Sequence, residues 1–115
     1  MELITDDQTR IKLKSNNRIE VGTDADSITT VKGKLGIGVE NPDVCFSTSG
    51  PIKIENKKMQ VLNDLPTQGV YRKGDVIWNA NPTPTGYVGW VCIKDGTPGE
   101  WKPFGQIGRK NARTD

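Results

Sequence analysis

Short apolar segments recur along the first half of this chain at a nearly constant spacing. Between residues 11 and 61, apolar residues occur in pairs separated by one or two positions, and successive pairs start seven to nine residues apart. The pairs are Ile11/Leu13, Ile19/Val21, Ile28/Val31, Leu35/Ile37, Val44/Phe46, Ile52/Ile54 and Met59/Val61. Turn-forming residues separate them, so the pattern predicts very short strands that each have one apolar face.

The amino-acid composition favours strands throughout the chain. Ile, Val and Thr contribute 30 of the 115 residues, whereas Ala contributes three, and β-branched residues pack well on a pleated surface. Thirteen Gly and seven Pro residues leave little room for an uninterrupted helix. We therefore expect an all-β chain and exclude a helical bundle.

Strands this short bury too little apolar surface to be stable alone. Only 33% of the residues are apolar, so one copy also has little material for a core. Three architectures would bury the apolar faces of these short strands: an ordinary antiparallel meander, a β-solenoid, or a fibre-like or prism-like trimeric β stalk. We favour the trimeric stalk because a solenoid needs more turns and end caps. Its predicted interface comprises Ile19, Val21, Leu35, Ile37, Val39, Ile52 and Ile54.

All three tryptophans lie in the second half of the chain, beyond residue 66. Predicted strands at 76–79, 87–93 and 101–107 each carry one, and the connections between them are of hairpin length and rich in turn residues. This pattern predicts a small antiparallel meander. The aromatic side chains have two interpretations, a core for this module or an exposed platform for a partner or a sugar ring. The candidate contacts are Trp78, Tyr87, Trp90 and Trp101.

The expected organisation has four parts. Residues 1–10 form an N-terminal arm, 11–65 an oligomerising short-strand region, 66–108 the antiparallel module and 109–115 a basic tail. The arm is either an extension that reaches a neighbouring subunit or a frayed end. The tail is either a contact for an acidic surface or a solvated terminus.

Charge and residue types argue against several classes of function. Sixteen basic and 14 acidic residues are scattered along the chain, so no basic stripe predicts nucleic-acid binding. No long apolar run predicts a membrane span, the first ten residues do not resemble a signal peptide, and we expect synthesis in the cytosol. The chain has no His, and we expect neither a metal nor a cofactor. Cys45 and Cys92 lack metal-site spacing and are expected to be free and buried.

Catalysis would require converging acidic groups in a cleft, as in glycoside hydrolysis. The candidates are Asp24, Asp26, Asp75, Asp95 and Glu100. Asp95 and Glu100 bracket a hairpin turn where acidic residues are common, and no feature of the sequence would raise the pKa of either. We therefore expect no catalytic residues and no enzyme activity.

Two stretches resemble parts of bacteriophage tail-fibre and tail-spike proteins. Residues 34–42, KLGIGVENP, are similar to a Gly-Ile-Gly element that recurs in tail fibres and related virion proteins. Residues 73–107 contain GD-x-x-WN, a Pro/Gly turn, GW-V-C and GTPG-x-W-x-x-FG-x-I, and resemble a small module near the carboxyl ends of such proteins. The resemblance implies a homotrimeric virion surface component and no particular chemistry.

With the small size of the chain, this resemblance predicts a capsid decoration (cement) protein or a short capsid fibre. Such a protein stabilises the shell or projects from it, and belongs to a virion assembled in the host cytoplasm. The expected partners are further copies of the chain and the major capsid protein or another virion protein. The alternative is a tail-fibre tip that recognises host-surface glycans. No nucleic acid or membrane partner is expected.

Overall fold

A computed structural model describes residues 2–5 and 8–113 of the chain. Within this part the regular secondary structure consists of strands, and the absence of any helix there leaves none that could cross a membrane. The all-β prediction is therefore confirmed. The ten strands are β1 (Glu2–Thr5), β2 (Gln8–Leu13), β3 (Ile19–Val21), β4 (Leu35–Ile37), β5 (Phe46–Thr48), β6 (Ile52–Ile54), β7 (Lys57–Leu62), β8 (Val76–Asn79), β9 (Tyr87–Lys94) and β10 (Glu100–Gln106).

The chain divides into two compact units. The first contains the residues up to 35 together with 42–47, and the second contains 36–41 and the residues from 48 onward. The strands form a three-stranded sheet in the order β1-β2-β3, a two-stranded sheet of β4 and β5, and a five-stranded sheet in the order β10-β9-β8-β7-β6.

In the three-stranded sheet, β2 pairs antiparallel with both β1 and β3. Lys14 N–H donates to the Arg18 carbonyl at 2.8 Å, and Asn17 adopts a φ of 64° in the turn between β2 and β3. Residues 2–5 and 8–10 of the predicted arm belong to strands of this sheet, whereas 1 and 6–7 lie outside the described residues. Most of the predicted arm is thus paired backbone.

The short-strand prediction holds for five of the seven apolar pairs. It holds only in part for Val44/Phe46, because β5 begins at Phe46, and it fails for Ile28/Val31. Ile28 and Val31 lie in a segment without strands. In that segment the Ser27 hydroxyl accepts the N–H groups of Thr23 at 2.8 Å and Asp24 at 3.2 Å. A side chain that satisfies two neighbouring N–H groups favours a turn over a sheet ladder.

The five-stranded sheet combines the end of the first half of the sequence with the second half. β6 and β7 form a hairpin, β8, β9 and β10 are antiparallel neighbours in chain order, and β7 pairs with β8 in parallel. Because β7 and β8 pair directly, the boundary predicted at residue 66 lies in a loop that joins two strands of the same sheet. The connection between them, residues 63–75, is called the 63–75 loop below.

One face of this sheet, called the closed face, is covered by the 63–75 loop. Tyr71 exchanges two backbone hydrogen bonds with Gly96, of 3.0 and 3.1 Å, which fixes the loop to the β9–β10 connection. The Tyr71 ring packs edge-on against Trp101 with a centroid distance of 5.1 Å. Ile77 and Cys92 lie fully buried beneath this layer. Together with Tyr71 they are the buried apolar side chains of residues 11–113.

Asp75 fastens the end of the loop to the sheet. Its side chain is 3% exposed, and its two carboxylate oxygens accept the backbone N–H groups of Lys58 and Arg72, both at 2.9 Å. A buried carboxylate is tolerated when such donors replace water. Asp75 therefore joins the start of β7 to the loop that covers the closed face.

Candidate functional site

The opposite face of the five-stranded sheet, called the open face, presents apolar side chains that the second unit leaves uncovered. Residues that are paired across neighbouring strands point to the same face, so the register assigns each side chain to one face or the other. The open face carries Ile52, Ile54, Met59, Val61, Val76, Trp78, Tyr87, Val91, Ile93 and Phe104. Ile54 and Val61 are 61% and 63% exposed, respectively.

An aromatic pair marks the middle of the open face. Trp78, Gly89 and Phe104 lie side by side on β8, β9 and β10. The two rings meet edge-on above Gly89, with centroids 5.7 Å apart. A β-carbon on Gly89 would lie 3.1 Å from the Phe104 ring and 2.5 Å from the Ile77 carbonyl oxygen. Glycine at this position therefore allows side chains from two non-adjacent strands to touch.

A groove runs along the open face beside this pair. It has a volume of about 500 Å³ and is lined by segment 48–52, by β7 residues 59–62 and by Trp78. Trp78 is 40% exposed, although it is the largest apolar side chain on this face. A large aromatic group at a concave apolar surface is typical of an interaction site.

The candidate residues of the first unit form a second bare surface. In the three-stranded sheet Ile11 lies opposite Val21 and Leu13 lies opposite Ile19, so the four side chains share one face. Ile19 is 67% exposed, and Leu13 and Val21 are also exposed. Ile11 is half-buried, whereas the other three side chains remain exposed within the described part of their own unit.

The remaining candidate interface residues lie in or next to short strands. Leu35 and Ile37 are exposed in β4, and Val39 is half-buried just beyond it. Ile52 and Ile54 belong to β6 and share the open face with Trp78, with Ile52 half-buried. The structure thus brings Ile52 and Ile54 together with part of the aromatic set.

The four aromatic candidates divide between the two faces of the five-stranded sheet. Trp78 and Tyr87 lie exposed on the open face, whereas Trp90 and Trp101 lie half-buried on the closed face. The Trp101 indole N–H donates to the Pro98 carbonyl at 2.9 Å. The core interpretation therefore fits Trp90 and Trp101 only as half-buried residues, and the exposed interpretation fits Trp78 and Tyr87.

The polar groups next to Trp78 are engaged by backbone. The Asn79 amide donates to the Tyr87 carbonyl at 3.1 Å, and its carbonyl oxygen accepts the Asn81 N–H at 2.9 Å. Sugar recognition uses such amides to bind hydroxyl groups beside an aromatic ring. Here they close the strand end and the turn that follows it.

The acidic candidates are held in separate local interactions. Asp24 accepts the Asp26 N–H at 2.9 Å, Asp95 accepts the Lys73 N–H at 2.6 Å, and Glu100 lies 3.9 Å from the Lys94 ammonium. Among the described residues no group of three or more Cys, Asp or Glu is arranged to hold a metal ion. These contacts give the carboxylates roles in turns and strand ends.

The cysteines differ from their predicted placement in one respect. Cys92 is free and buried, with its sulfur 3.3 Å from the Lys94 carbonyl oxygen. Cys45 is free but exposed, so the prediction that both are buried is wrong for Cys45. It precedes β5 and has no covering layer such as the 63–75 loop.

In the basic tail, Arg109 and Lys110 line a shallow groove with Pro82, Pro84 and Val88, whereas 114–115 lie outside the described residues.

Sequence reasoning did not single out Phe104 or Tyr71. Phe104 completes the aromatic pair on the open face, and Tyr71 covers the closed face. A signal for Phe104 was present in Gly89, because a glycine in mid-strand often marks close approach by a neighbouring group.

Comparisons with protein-family models, with curated proteins and with solved structures found no match to this chain.

Proposed function

We propose that this chain is a structural protein that forms a homotrimer on the surface of a bacteriophage virion, as a capsid decoration (cement) protein or a short capsid fibre. The observation that carries the proposal is the imbalance between buried and exposed apolar side chains. Three apolar residues of 11–113 are buried, whereas sixteen large apolar residues are exposed. A chain with so small a core gains stability by burying its bare faces against other chains.

A second copy of the same chain is the occupant that best fits the open face. The exposed area of Ile54, Val61, Trp78, Tyr87 and Ile93 is on the order of 500 Å², near the upper end of apolar patches on soluble monomers. A standard interface buries roughly 800 Å² per partner, which this face and its rim can supply. An apolar face of this kind needs a partner that is present as soon as the chain is made. A second copy of the chain meets that condition.

The number of copies and the setting come from the sequence resemblance. Residues 73–107 resemble a module of virion proteins, and this resemblance implies a homotrimer. The short strands of the first half suit a stalk around a shared axis. In this proposal the chain clamps neighbouring capsid subunits or projects from the shell. No catalytic step is assigned to it.

The oligomeric state tests the first part of the proposal. Light scattering should give a mass of about 38 kDa, three times 12.6 kDa, for the wild-type protein. Val61→Lys places a charge on the open face and should reduce the mass. Thr67→Lys is the control, because Thr67 is also exposed but lies in the 63–75 loop, and it should leave the mass unchanged. A stable wild-type monomer would contradict the proposal.

The particle tests the second part. Cryo-electron microscopy of virions that contain the protein should place copies on the capsid exterior, in contact with the major capsid protein. Particles stripped of the protein should lose resistance to heat or osmotic shock if it acts as cement. Location at the tip of a tail fibre would reject the capsid role.

A second candidate function is supported by the exposure of Trp78. As the alternative, the chain is a receptor-binding tip whose exposed aromatic side chains, Trp78 and Tyr87, stack on host glycans. The engagement of Asn79 by backbone counts against this function, since few side-chain donors remain for sugar hydroxyls. Adsorption of the isolated protein to host cells, abolished by Trp78→Ala in a variant of unchanged mass, would favour it.

A further inference from the structure

A small pocket lined by basic side chains lies on the closed-face side of the five-stranded sheet. β6 and β7 pair so that Lys53 lies directly opposite Lys58, and Arg72 of the 63–75 loop lines the same cavity. Asn56, Val70 and Asp75 complete the lining, and the volume is about 70 Å³. Three residues with cationic side chains thus line a space larger than one water molecule.

This arrangement is unfavourable for the isolated chain. Like charges directly opposite each other on neighbouring strands destabilise a sheet, and Arg72 adds a third positive charge. Within the part of the chain that the structure describes, none of the three cations forms an ion pair with a carboxylate. Asp75 is the one acid in the lining, and backbone N–H groups occupy both its carboxylate oxygens. The pocket therefore keeps a net positive charge.

Part of the pocket is already held in position. The Lys58 ammonium donates to the Val70 carbonyl at 3.2 Å and lies 4.0 Å from the centre of the Tyr71 ring. These two contacts fix its direction, and an ammonium has a further N–H available for a ligand. The guanidinium of Arg72 is suited to bind two oxygens of one anion. Asn56 adds an uncharged amide.

We propose that this pocket binds an oxyanion, namely a carboxylate or a phosphate group. Lys53, Lys58 and Arg72 supply the charge and the donors, and the anion removes the repulsion between the two lysines. This site is separate from the open face and does not depend on the proposed assembly. Its ligand is either a free inorganic anion or the carboxylate of an acidic compound, and both offer the same oxygens.

Titration of the full chain with inorganic phosphate and with acetate, at constant ionic strength, tests the site. Amide NMR signals of Asn56, Lys58 and Arg72 should shift in a saturable way, with a dissociation constant on the order of 1 mM for at least one anion. Saturation by phosphate alone indicates a phosphate site, and saturation by acetate indicates a carboxylate site. Chloride at equal ionic strength should cause no saturable change.

Two variants separate a site from general charge effects. Arg72→Ala and Lys53→Ala should each weaken binding about tenfold. Lys102→Ala removes an exposed cation on β10 and should leave the affinity unchanged. Lys53→Ala should also raise the thermal midpoint in the absence of anion, because it removes the repulsion from Lys58. Linear, unsaturated shifts with both anions, or equal affinity in Arg72→Ala, would overturn the proposal.

Discussion

The two faces of the five-stranded sheet are built from the same strands but differ in what covers them. On the closed face the chain supplies its own second layer, in which Tyr71 packs on Trp101 and Asp75 ties the loop to β7. On the open face similar apolar residues have no such layer, and Trp78 remains 40% exposed. Under the proposed assembly, the chain covers the closed face itself, and another copy covers the open face.

The largest effect is expected at the centre of the closed face. Ile77→Ala should lower the free energy of unfolding by about 3 kcal/mol, because the side chain is fully buried and its loss leaves a cavity. Ile54→Ala is the matched change on the open face. If no other copy buries the Ile54 side chain, this variant should lower the free energy of unfolding by no more than about 0.5 kcal/mol. A larger decrease would indicate that another copy buries it. Chemical denaturation gives both values, and a loss below about 1 kcal/mol for Ile77→Ala would break the comparison.

The next effect concerns the carboxylate that anchors the closed face. Asp75→Ala leaves the N–H groups of Lys58 and Arg72 without their acceptor and should cost about 2 kcal/mol. Asp64→Ala provides the control, because Asp64 is exposed and accepts only from its neighbour Leu65. Thermal denaturation should place the Asp75 variant well below the Asp64 variant. Equal midpoints would show that Asp75 does not anchor the loop.

A smaller effect is expected on the aromatic pair of the open face. Gly89→Ala places a methyl group against the Phe104 ring and the Ile77 carbonyl, and should cost about 1.5 kcal/mol. The near-ultraviolet circular dichroism of the tryptophans should change as Phe104 leaves Trp78. Gly33→Ala has open space around its β-carbon and should change neither property. An unchanged spectrum for Gly89→Ala would remove the reason given for glycine at this position.

The smallest effect is expected for Glu20, an exposed side chain of β3 in the three-stranded sheet. The hydrogen bond from the Lys14 ammonium, with a nitrogen–oxygen distance of 3.0 Å, lowers the pKa of Glu20 below its usual value of 4.5. A lowered folded-state pKa stabilises the sheet above the unfolded-state pKa, and this contribution is lost as the pH falls through the folded-state value. NMR titration of the Glu20 carboxyl should find the lowered pKa in the wild type and a higher pKa in Lys14→Met. An unchanged pKa in Lys14→Met would contradict the assignment.

Local pattern predicted the strands well and their partners less well. Val76–Asn79 matches β8, and the strand predicted at 87–93 ends one residue before β9 does. The strand predicted at 101–107 differs from β10 by one residue at each end. The parallel pairing of β7 with β8 could not be read from local pattern, because it joins segments separated by a long loop. Because of that pairing, the boundary predicted at residue 66 separates two strands of one sheet and not two domains.

Only part of the candidate site was predicted from the sequence, again because strand pairing cannot be read from local pattern. Alternation in β9 separates Trp90 from Tyr87 by face, but only the strand register shows which face the 63–75 loop covers. The burial of Asp75 also escaped prediction. Its carboxylate is stabilised by N–H groups of Lys58 and Arg72 that lie 17 and three residues away, and the first of these contacts depends on the fold.

The accessibility of position 61 tests the central claim most directly. In a Cys45→Ser background, Val61→Cys places a thiol on the open face beside Trp78, and Thr67→Cys places one at an exposed position of the 63–75 loop. If another copy covers the open face, the Val61→Cys thiol should react with a thiol reagent at least about tenfold more slowly than the Thr67→Cys thiol, and equally fast in denaturant. Equal rates in the native protein would contradict the account.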